Sequence, residues 1–351
     1  MSALIQDLKA KMLQSTELLR QIASDRSRRA GRSPDTEHDY LRLGQSLLTR
    51  AKAAQGGLVG VVSDTRRPTT FQKRISALRF TLQQRQLELL GSIIEPVSDE
   101  QAQRHIAAFE EQIGHVQALI ELRRRGVRGP RALRNSKRRA LSGLPADWRV
   151  QLCKRGRAGR YRAALLVAAL TGCRPSELEK GIKVWLTRDA TTGQTHIYLE
   201  IAGAKVNREQ GQPRRRLTFA MDDPHPLVSM LKELLPDKAD APVVIHIESA
   251  MNFSAEVQRL AACLWPSHRH TVTAYCFRHQ WAADAKRNGD AEAVSRGLGH
   301  LSSKTQRVYG TASQGRPPHA LKPSTIEADR SIKGSAADVV PPDPDEPESA
   351  S

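Results

Sequence analysis

Residues 271–310 read TVTAYCFRHQWAADAKRNGDAEAVSRGLGHLSSKTQRVYG and hold three groups that could act together on a phosphate. Arg278-His279 opens a helix-like run, Gly299-His300 closes a second, and Tyr309 sits in a short third. A guanidinium offers a rigid fork of donors to phosphate oxygens. A tyrosine hydroxyl is a covalent nucleophile once its proton is withdrawn. The free phenol titrates near about 10, so it needs cationic neighbours to react at neutral pH. Alone, a late tyrosine is usually a packing residue and an Arg-His pair says little. The joint pattern carries the weight.

That pattern has three boxes. The first is an apolar run ending in Thr-Gly-x-Arg-x-x-Glu-Leu: Leu165-Leu166-Val167-Ala168-Ala169-Leu170-Thr171-Gly172-Cys173-Arg174-Pro175-Ser176-Glu177-Leu178. The second is Tyr275-Cys276-Phe277-Arg278-His279-Gln280-Trp281-Ala282. The third runs from Leu298-Gly299-His300 through a Ser/Thr-rich stretch to Tyr309. In this order and at this spacing they resemble the tyrosine recombinase (phage integrase) family. The resemblance covers roughly Leu141 to Gly310, and the N-terminal part only loosely.

The resemblance implies a mainly α fold with a small β-hairpin or sheet. A helical, core-binding-like N-terminal domain would close over one face of a duplex, joined to an α+β catalytic domain. It implies catalytic roles for Arg174, Lys205, Tyr275, Arg278, His300 and Tyr309, with Glu177 orienting the basic groups. Tyr309 would attack the scissile phosphate while Arg174 and Arg278 clamp its nonbridging oxygens, where donors act most strongly as charge develops. Lys205, on a hairpin between the first and second boxes, would protonate the departing 5′-oxygen; Lys180 and Lys183 follow Arg174 too closely to take that part. His300 would donate a hydrogen bond to the phosphate. The product is a 3′-phosphotyrosyl ester and a free 5′-hydroxyl. The ester keeps the bond energy, so no cofactor is expected, neither ATP nor a metal. The implied function is site-specific integration or excision of a mobile element. Double-stranded DNA is the expected partner, bound by a homotetramer, with accessory DNA-bending factors.

One position departs. The family usually has a histidine three residues before the second arginine; here it is Tyr275. A phenol can donate a hydrogen bond to phosphate but is a poor base at pH 7. His279 is expected to point elsewhere on its helix. The same substitution keeps two related enzymes open, a telomere resolvase and a type IB topoisomerase-like strand transferase. A non-catalytic architectural DNA-binding protein is the alternative outside enzymes.

Composition agrees with a polyanion partner. The 351 residues carry a formal charge of +18. Residues 311–351 hold four basic and seven acidic side chains, so they carry −3 and leave +21 on the rest. An excess of that size favours nucleic acid. Aromatics are only 4%, which argues against single-strand binding by base stacking. Cys153, Cys173, Cys263 and Cys276 lack paired metal spacing. They read as reduced thiols, and with no secretory signal or apolar span the expectation is a cytoplasmic, DNA-associated protein.

The elements that must position these groups can be read from periodicity. Leu4, Ile5, Leu8, Met12, Leu18, Leu19 and Ile22 fit an amphipathic first helix packed on the bundle. A second is expected over 36–54. Phe71, Ile75, Leu78, Leu82 and Leu87 form the apolar side of a third, with Lys73, Arg74 and Arg79 elsewhere on it as candidate DNA contacts. Ser98-Asp99-Glu100 resembles an N-cap with an acidic first turn, heading a fourth helix. Residues 123–139 then hold nine basic residues and no acidic one: Arg123, Arg124, Arg125, Arg128, Arg131, Arg134, Lys137, Arg138 and Arg139. Broken by Gly126, Gly129 and Pro130, this run reads as a linker that tracks the DNA backbone. Residues 195–203 alternate like a strand and 213–220 return as its partner, with Lys205 at the turn. The domains expected are 1–122, the linker 123–139, a catalytic domain 140–310, and a disordered, acidic, Pro-rich tail 311–351.

Overall fold

The computed structural model describes residues 3–22, 32–93, 97–127, 136–188, 193–208, 210–236, 242–288 and 291–333. They fall in two compact units, Met1–Arg134 and Asn135–Ser351. The chain is mostly helical with one small antiparallel sheet. No described helix is long and apolar enough to cross a membrane.

The first unit is all helical: α1 (Ala3–Ile22), α2 (Pro34–Ala53), α3 (Gly57–Ser63), α4 (Pro68–Gly91) and α5 (Asp99–Arg125). Ser33 caps α2 by accepting from the Thr36 N–H, with Pro34 at the first helical position. Ser98 and Gln101 cap α5 reciprocally, each side chain taking the other's backbone N–H. Leu19, Ile22, Leu47, Leu78, Leu82, Val116 and Leu119 share one core. The apolar side of α4 differs from the expected one: Leu87 is 62% exposed and Phe80 is buried in its stead. Five residues beyond Leu82, Leu87 has turned well off the buried stripe.

The two ends of the basic stretch 123–139 are helical among the described residues. Arg123, Arg124 and Arg125 form the last turn of α5, where positive charge suits the helix dipole. A further helix, α6, spans Lys137–Leu141. Arg128, Arg131 and Arg134 lie outside the described residues.

The second unit holds α6, α7 (Trp148–Arg155), α8 (Arg162–Thr171), α9 (Pro175–Lys180), β1 (Ile182–Arg188), β2 (Thr195–Ala202) and β3 (Arg214–Ala220). It continues with α10 (Pro226–Lys232), β4 (Val243–Ile245), α11 (Ala250–Leu264), α12 (Ala274–Arg287) and α13 (Ala291–Gly297). Three short 3-10 helices and β5 (Thr325–Ala328) follow. The strands run in the order β4-β1-β2-β3-β5, all neighbours antiparallel. Ile197, Leu199 and Ile201 of β2 point into the core, as the alternation predicts. In α8 every residue from Ala164 to Thr171 is buried. Each fully buried Leu or Val there contributes about 1.5–3 kcal/mol. Trp148 stacks on Phe277, ring centroids 5.1 Å apart, joining α7 to α12.

Residues 311–333 are not a disordered tail. β5 pairs with β3 from Arg215↔Ala328 to Thr218↔Thr325, and Leu321 and Ile332 are buried. The β3 edge offers free backbone donors and acceptors, and pairing them is what a short, Pro-flanked segment can do without helical periodicity. The acidic residues from Asp338 onward lie outside the described residues.

Candidate active site

Gly172 ends α8 at φ +60, a left-handed conformation that suits glycine. A Cβ there would also lie 2.9 Å from Trp281 Cβ and 3.2 Å from Arg278 Cα. The end of α8 therefore runs directly against α12. Two residues on, Arg174 stands at the head of α9, with Pro175 at the first helical position. The Thr-Gly-x-Arg-Pro sequence is a local device: it stops one helix, starts the next, and leaves Arg174 at the junction.

Glu177 holds Arg174 there. Its carboxylate accepts from the Arg174 backbone N–H at 2.7 Å and from Arg174 Nη1 at 2.7 Å. It also accepts from Arg215 Nη1 at 3.2 Å and Nη2 at 2.8 Å. Burial pushes the Glu177 carboxyl up, but Arg215, Arg278 and Arg174 overcome it and hold it well below the usual carboxylate range.

The Leu298-Gly299-His300 sequence ends α13. Gly299 has φ +67 and its N–H donates to Arg296 O at 2.9 Å, while the His300 N–H donates to Ser295 O at 2.8 Å. This is a Schellman ending, so His300 is placed by the cap itself. Arg278, in the second turn of α12, is fully buried. It donates to Gly172 O at 3.1 Å, to Leu298 O, and to His300 Nε2 at 3.0 Å. Because that nitrogen accepts, the neutral His300 ring carries its proton on Nδ1. Burial and the cations Arg278, Arg174 and Arg215 hold His300 down to about 2. Burial and the neighbouring Arg174 push Arg278 down to about 10, so it stays charged at neutral pH. Among the described residues, buried Arg278 Nε and His300 Nδ1 have no hydrogen-bond partner.

Tyr309 closes the cluster from the 3-10 helix Ser303–Val308. Its ring stacks on His300 at 5.2 Å and 25°, and the Arg278 guanidinium lies 4.9 Å from its centroid. Burial raises the phenol, yet charge and hydrogen bonding from Arg278 and Arg174 bring it below its ordinary value. Tyr275 is 38% exposed in the first turn of α12 and lies near enough for its phenol to weigh on Arg174. Arg174, Glu177, Arg278, His300, Tyr309 and Tyr275 therefore gather at one place.

Lys205 does not join them by contact. It is exposed on the β2–β3 loop, and among the described residues no hydrogen bond or ion pair ties it to the cluster. The loop's base is docked, however: Gln212 donates through its backbone to Gly299 O at 3.3 Å and through Nε2 to His300 O at 3.2 Å. Lys180, set aside at the sequence level, holds the other arm through Gly203 O at 2.7 Å. Lys183 pairs with Glu200. Cys173 and Cys276 are buried thiols, the first pushed up by burial to about 12 and the second also raised.

One expectation is corrected. His279 does not point away: its ring lies 5.1 Å from Tyr309, on which it packs. The Tyr309 segment folds back along α12, which periodicity within that helix does not foretell. Several candidate DNA contacts also bond within the protein. Arg74 donates to Val61 O, Val62 O and Asp64 O, closing the end of α3. Arg123 donates to Ile22 O, Arg124 and Arg125 pair with Glu121, and Arg138 donates to Tyr309 O and Arg307 O. Arg79 is partly buried and held down by burial, Arg32 and Arg123. Lys73 and Arg139 are exposed, and Lys137 is half-buried.

Arg215 was missed at the sequence level. A signal existed: strand alternation puts it on the same face as Leu217 and Phe219, and a charge at a core position needs a buried partner.

No protein-family model matches the chain. No curated protein matches it either. Among solved structures, the crystal structure of XerA recombinase is 14% identical, over 85% of this chain and 93% of that one, with a TM-score of 0.31. XerH site-specific recombinase bound to its difH substrate, a pre-cleavage complex, is 15% identical over 80% and 93%, with a TM-score of 0.34. Likenesses this slight carry no argument, and the functional reading stands on the residues of the site.

Proposed function

We propose that this chain is a DNA strand transferase of the tyrosine recombinase type. One observation carries the reading: the buried Arg278 guanidinium lies 4.9 Å from the Tyr309 ring centroid, and Arg278 and Arg174 together bring its phenol below the ordinary value. Two guanidiniums with one carboxylate behind them form an anion site that suits a phosphodiester. They also favour loss of the phenol proton to water. The phenolate oxygen then bonds to phosphorus and the bond to the 5′-oxygen breaks. Lys205, carried on the hairpin loop, gives that oxygen its proton. Arg174 and Arg278 hold the nonbridging oxygens, and His300 Nδ1–H and Arg278 Nε are donors left over for the same phosphate. Tyr275 adds a phenolic donor at the position where the family has histidine. A 5′-hydroxyl from another strand reverses the chemistry and reseals DNA in a new arrangement. The helical first unit and exposed cations such as Lys73 and Arg139 hold the duplex.

The test is a pool of random-sequence duplexes, each with one nick, so that the cleaved fragment departs and the covalent complex accumulates. After denaturation, protein-linked DNA is isolated and the attachment peptide mapped. The expected result is an adduct on Tyr309 that is absent in Tyr309→Phe and present in Tyr275→Phe. Tight, salt-sensitive binding with no adduct would replace this reading with an architectural DNA-binding protein.

A further inference from the structure

Apart from the Tyr309 ring and Gln306, the segment that carries Tyr309 is poorly anchored by its own side chains. In the 3-10 helix Ser303–Val308 only Gln306 is buried, and Lys304, Thr305, Arg307 and Val308 are exposed. Such helices have weak hydrogen-bond geometry and do not hold themselves in place. Two cations from other elements take its carbonyls. Lys286, in the last turn of α12, donates through Nζ to Gln306 O at 2.8 Å and to Gly310 O at 2.7 Å. Arg138, in α6, donates through Nε to Tyr309 O at 3.1 Å and through Nη2 to Arg307 O. Gln314 Nε2 in turn donates to Arg138 O at 2.8 Å. A Cβ at Gly310 would lie 2.2 Å from His279 O, so the clipped chain runs directly against α12.

We propose that Arg138 and Lys286 form a backbone clip that positions Tyr309, docking its phenol on Arg174 and Arg278 before any DNA arrives. Charge-assisted hydrogen bonds are roughly twice as strong as neutral ones, so four of them can order a segment that packing leaves loose. Neither cation has a described contact with Arg174, Arg278 or His300, so both are positioning residues. Arg138 then serves the nucleophile's backbone and not the DNA backbone, although it stands in the most basic stretch of the chain. The catalytic meaning of the clip rests on the strand-transfer reading; the clip itself does not.

The phenol reports on its own docking. Its titration in the free chain is the difference in phenolate absorbance between the native protein and Tyr309→Phe. Besides the clip cations themselves, the charged or titratable groups around it are Arg174, Tyr275, Arg278, His279 and His300, with Lys137 beside His279, and none of these is altered. Arg138→Lys keeps the charge but loses the planar guanidinium whose Nε and Nη2 each take a carbonyl; Lys286→Met removes the other half of the clip. In both, the Tyr309 titration is expected to rise toward the ordinary phenol value. Lys304→Gln, an equal charge loss from the exposed side of the same segment, leaves it in place. A titration unmoved by Arg138→Lys, or moved as far by Lys304→Gln, overturns the clip. In the nicked-duplex reaction, Arg138→Lys is expected to slow cleavage within the bound complex on the order of 100-fold, as a displaced nucleophile does, at unchanged DNA affinity. Lost affinity with an unchanged cleavage rate would also overturn it. A native chain that forms no adduct, with the titration still governed by Arg138, would sink strand transfer and leave the clip standing.

Discussion

Arg215 grips Glu177 with both terminal nitrogens, at 2.8 and 3.2 Å, where both side chains are closed to solvent. Its Nε donates to Gly297 O at 2.7 Å, so one side chain joins β3, α9 and the end of α13. Removing one member of a buried, hydrogen-bonded pair leaves an uncompensated charge, at about 3–5 kcal/mol. Arg215→Met is expected to lower stability to urea by that order. Glu177→Gln, which leaves Arg174 and Arg215 facing each other, should do likewise. The double variant should lose clearly less than the sum of the two. Strict additivity would show that the pair does not act as a unit.

His300 is buried neutral, its titration held down to about 2 by burial and three arginines. The unfolded chain binds a proton there near the ordinary value of 6.5. Its contribution is therefore complete above about pH 6.5 and is lost as pH falls toward the folded value, at up to about 1.4 kcal/mol per unit. His279, held down to about 4, adds a slope of the same sign over a narrower window. Urea midpoints between pH 7.5 and 5 should fall with acid, and His300→Gln should flatten the fall without abolishing it. An identical slope in His300→Gln would refute a buried neutral ring.

Lys73 and Arg74 are neighbours on α4 with opposite expected phenotypes. Lys73 is exposed, so Lys73→Gln should reduce the salt slope of DNA binding by about one and leave stability alone. Arg74 closes the end of α3 through three carbonyls, so Arg74→Gln should destabilise the chain by about 1–3 kcal/mol. Salt titrations and urea unfolding of the two variants read this directly. Equal effects on both quantities would contradict the assignment.

Leu321 and Ile332 are 4% and 2% exposed, in the stretch whose composition reads as a disordered tail. Each replaced by Ala should cost about 2–5 kcal/mol. A tail without packing would lose nothing, and unchanged melting of both variants would restore that reading.

Much of the site was legible because local rules place its parts. Gly172 and Gly299 end helices in conformations that glycine adopts, and so deliver Arg174 and His300 at defined positions in the turn. The alternation of β2 assigns its faces residue by residue, and Ser98 marks the start of α5. Resemblance to the tyrosine recombinase boxes named Arg174, Arg278, His300 and Tyr309, and the fold brings them together. Lys205 was legible as a hairpin residue, but its distance from the phosphate is a property of a loop, which periodicity does not set.

By itself, then, the sequence determined the main helices, the β2–β3 hairpin with its inward face, and the residue kinds that could meet an anion. Only the tertiary structure decided which cations are bound within the protein. It gave Arg74 to a helix end, Arg215 to Glu177 and Arg138 to the carbonyls beside Tyr309. It also turned His279 onto Tyr309 and laid β5 along β3. The physical reason is common to all five. Periodicity and capping are set by neighbours along the chain, whereas a guanidinium's partner, a ring's neighbour or a strand's mate is set by which distant groups the folded core brings within reach.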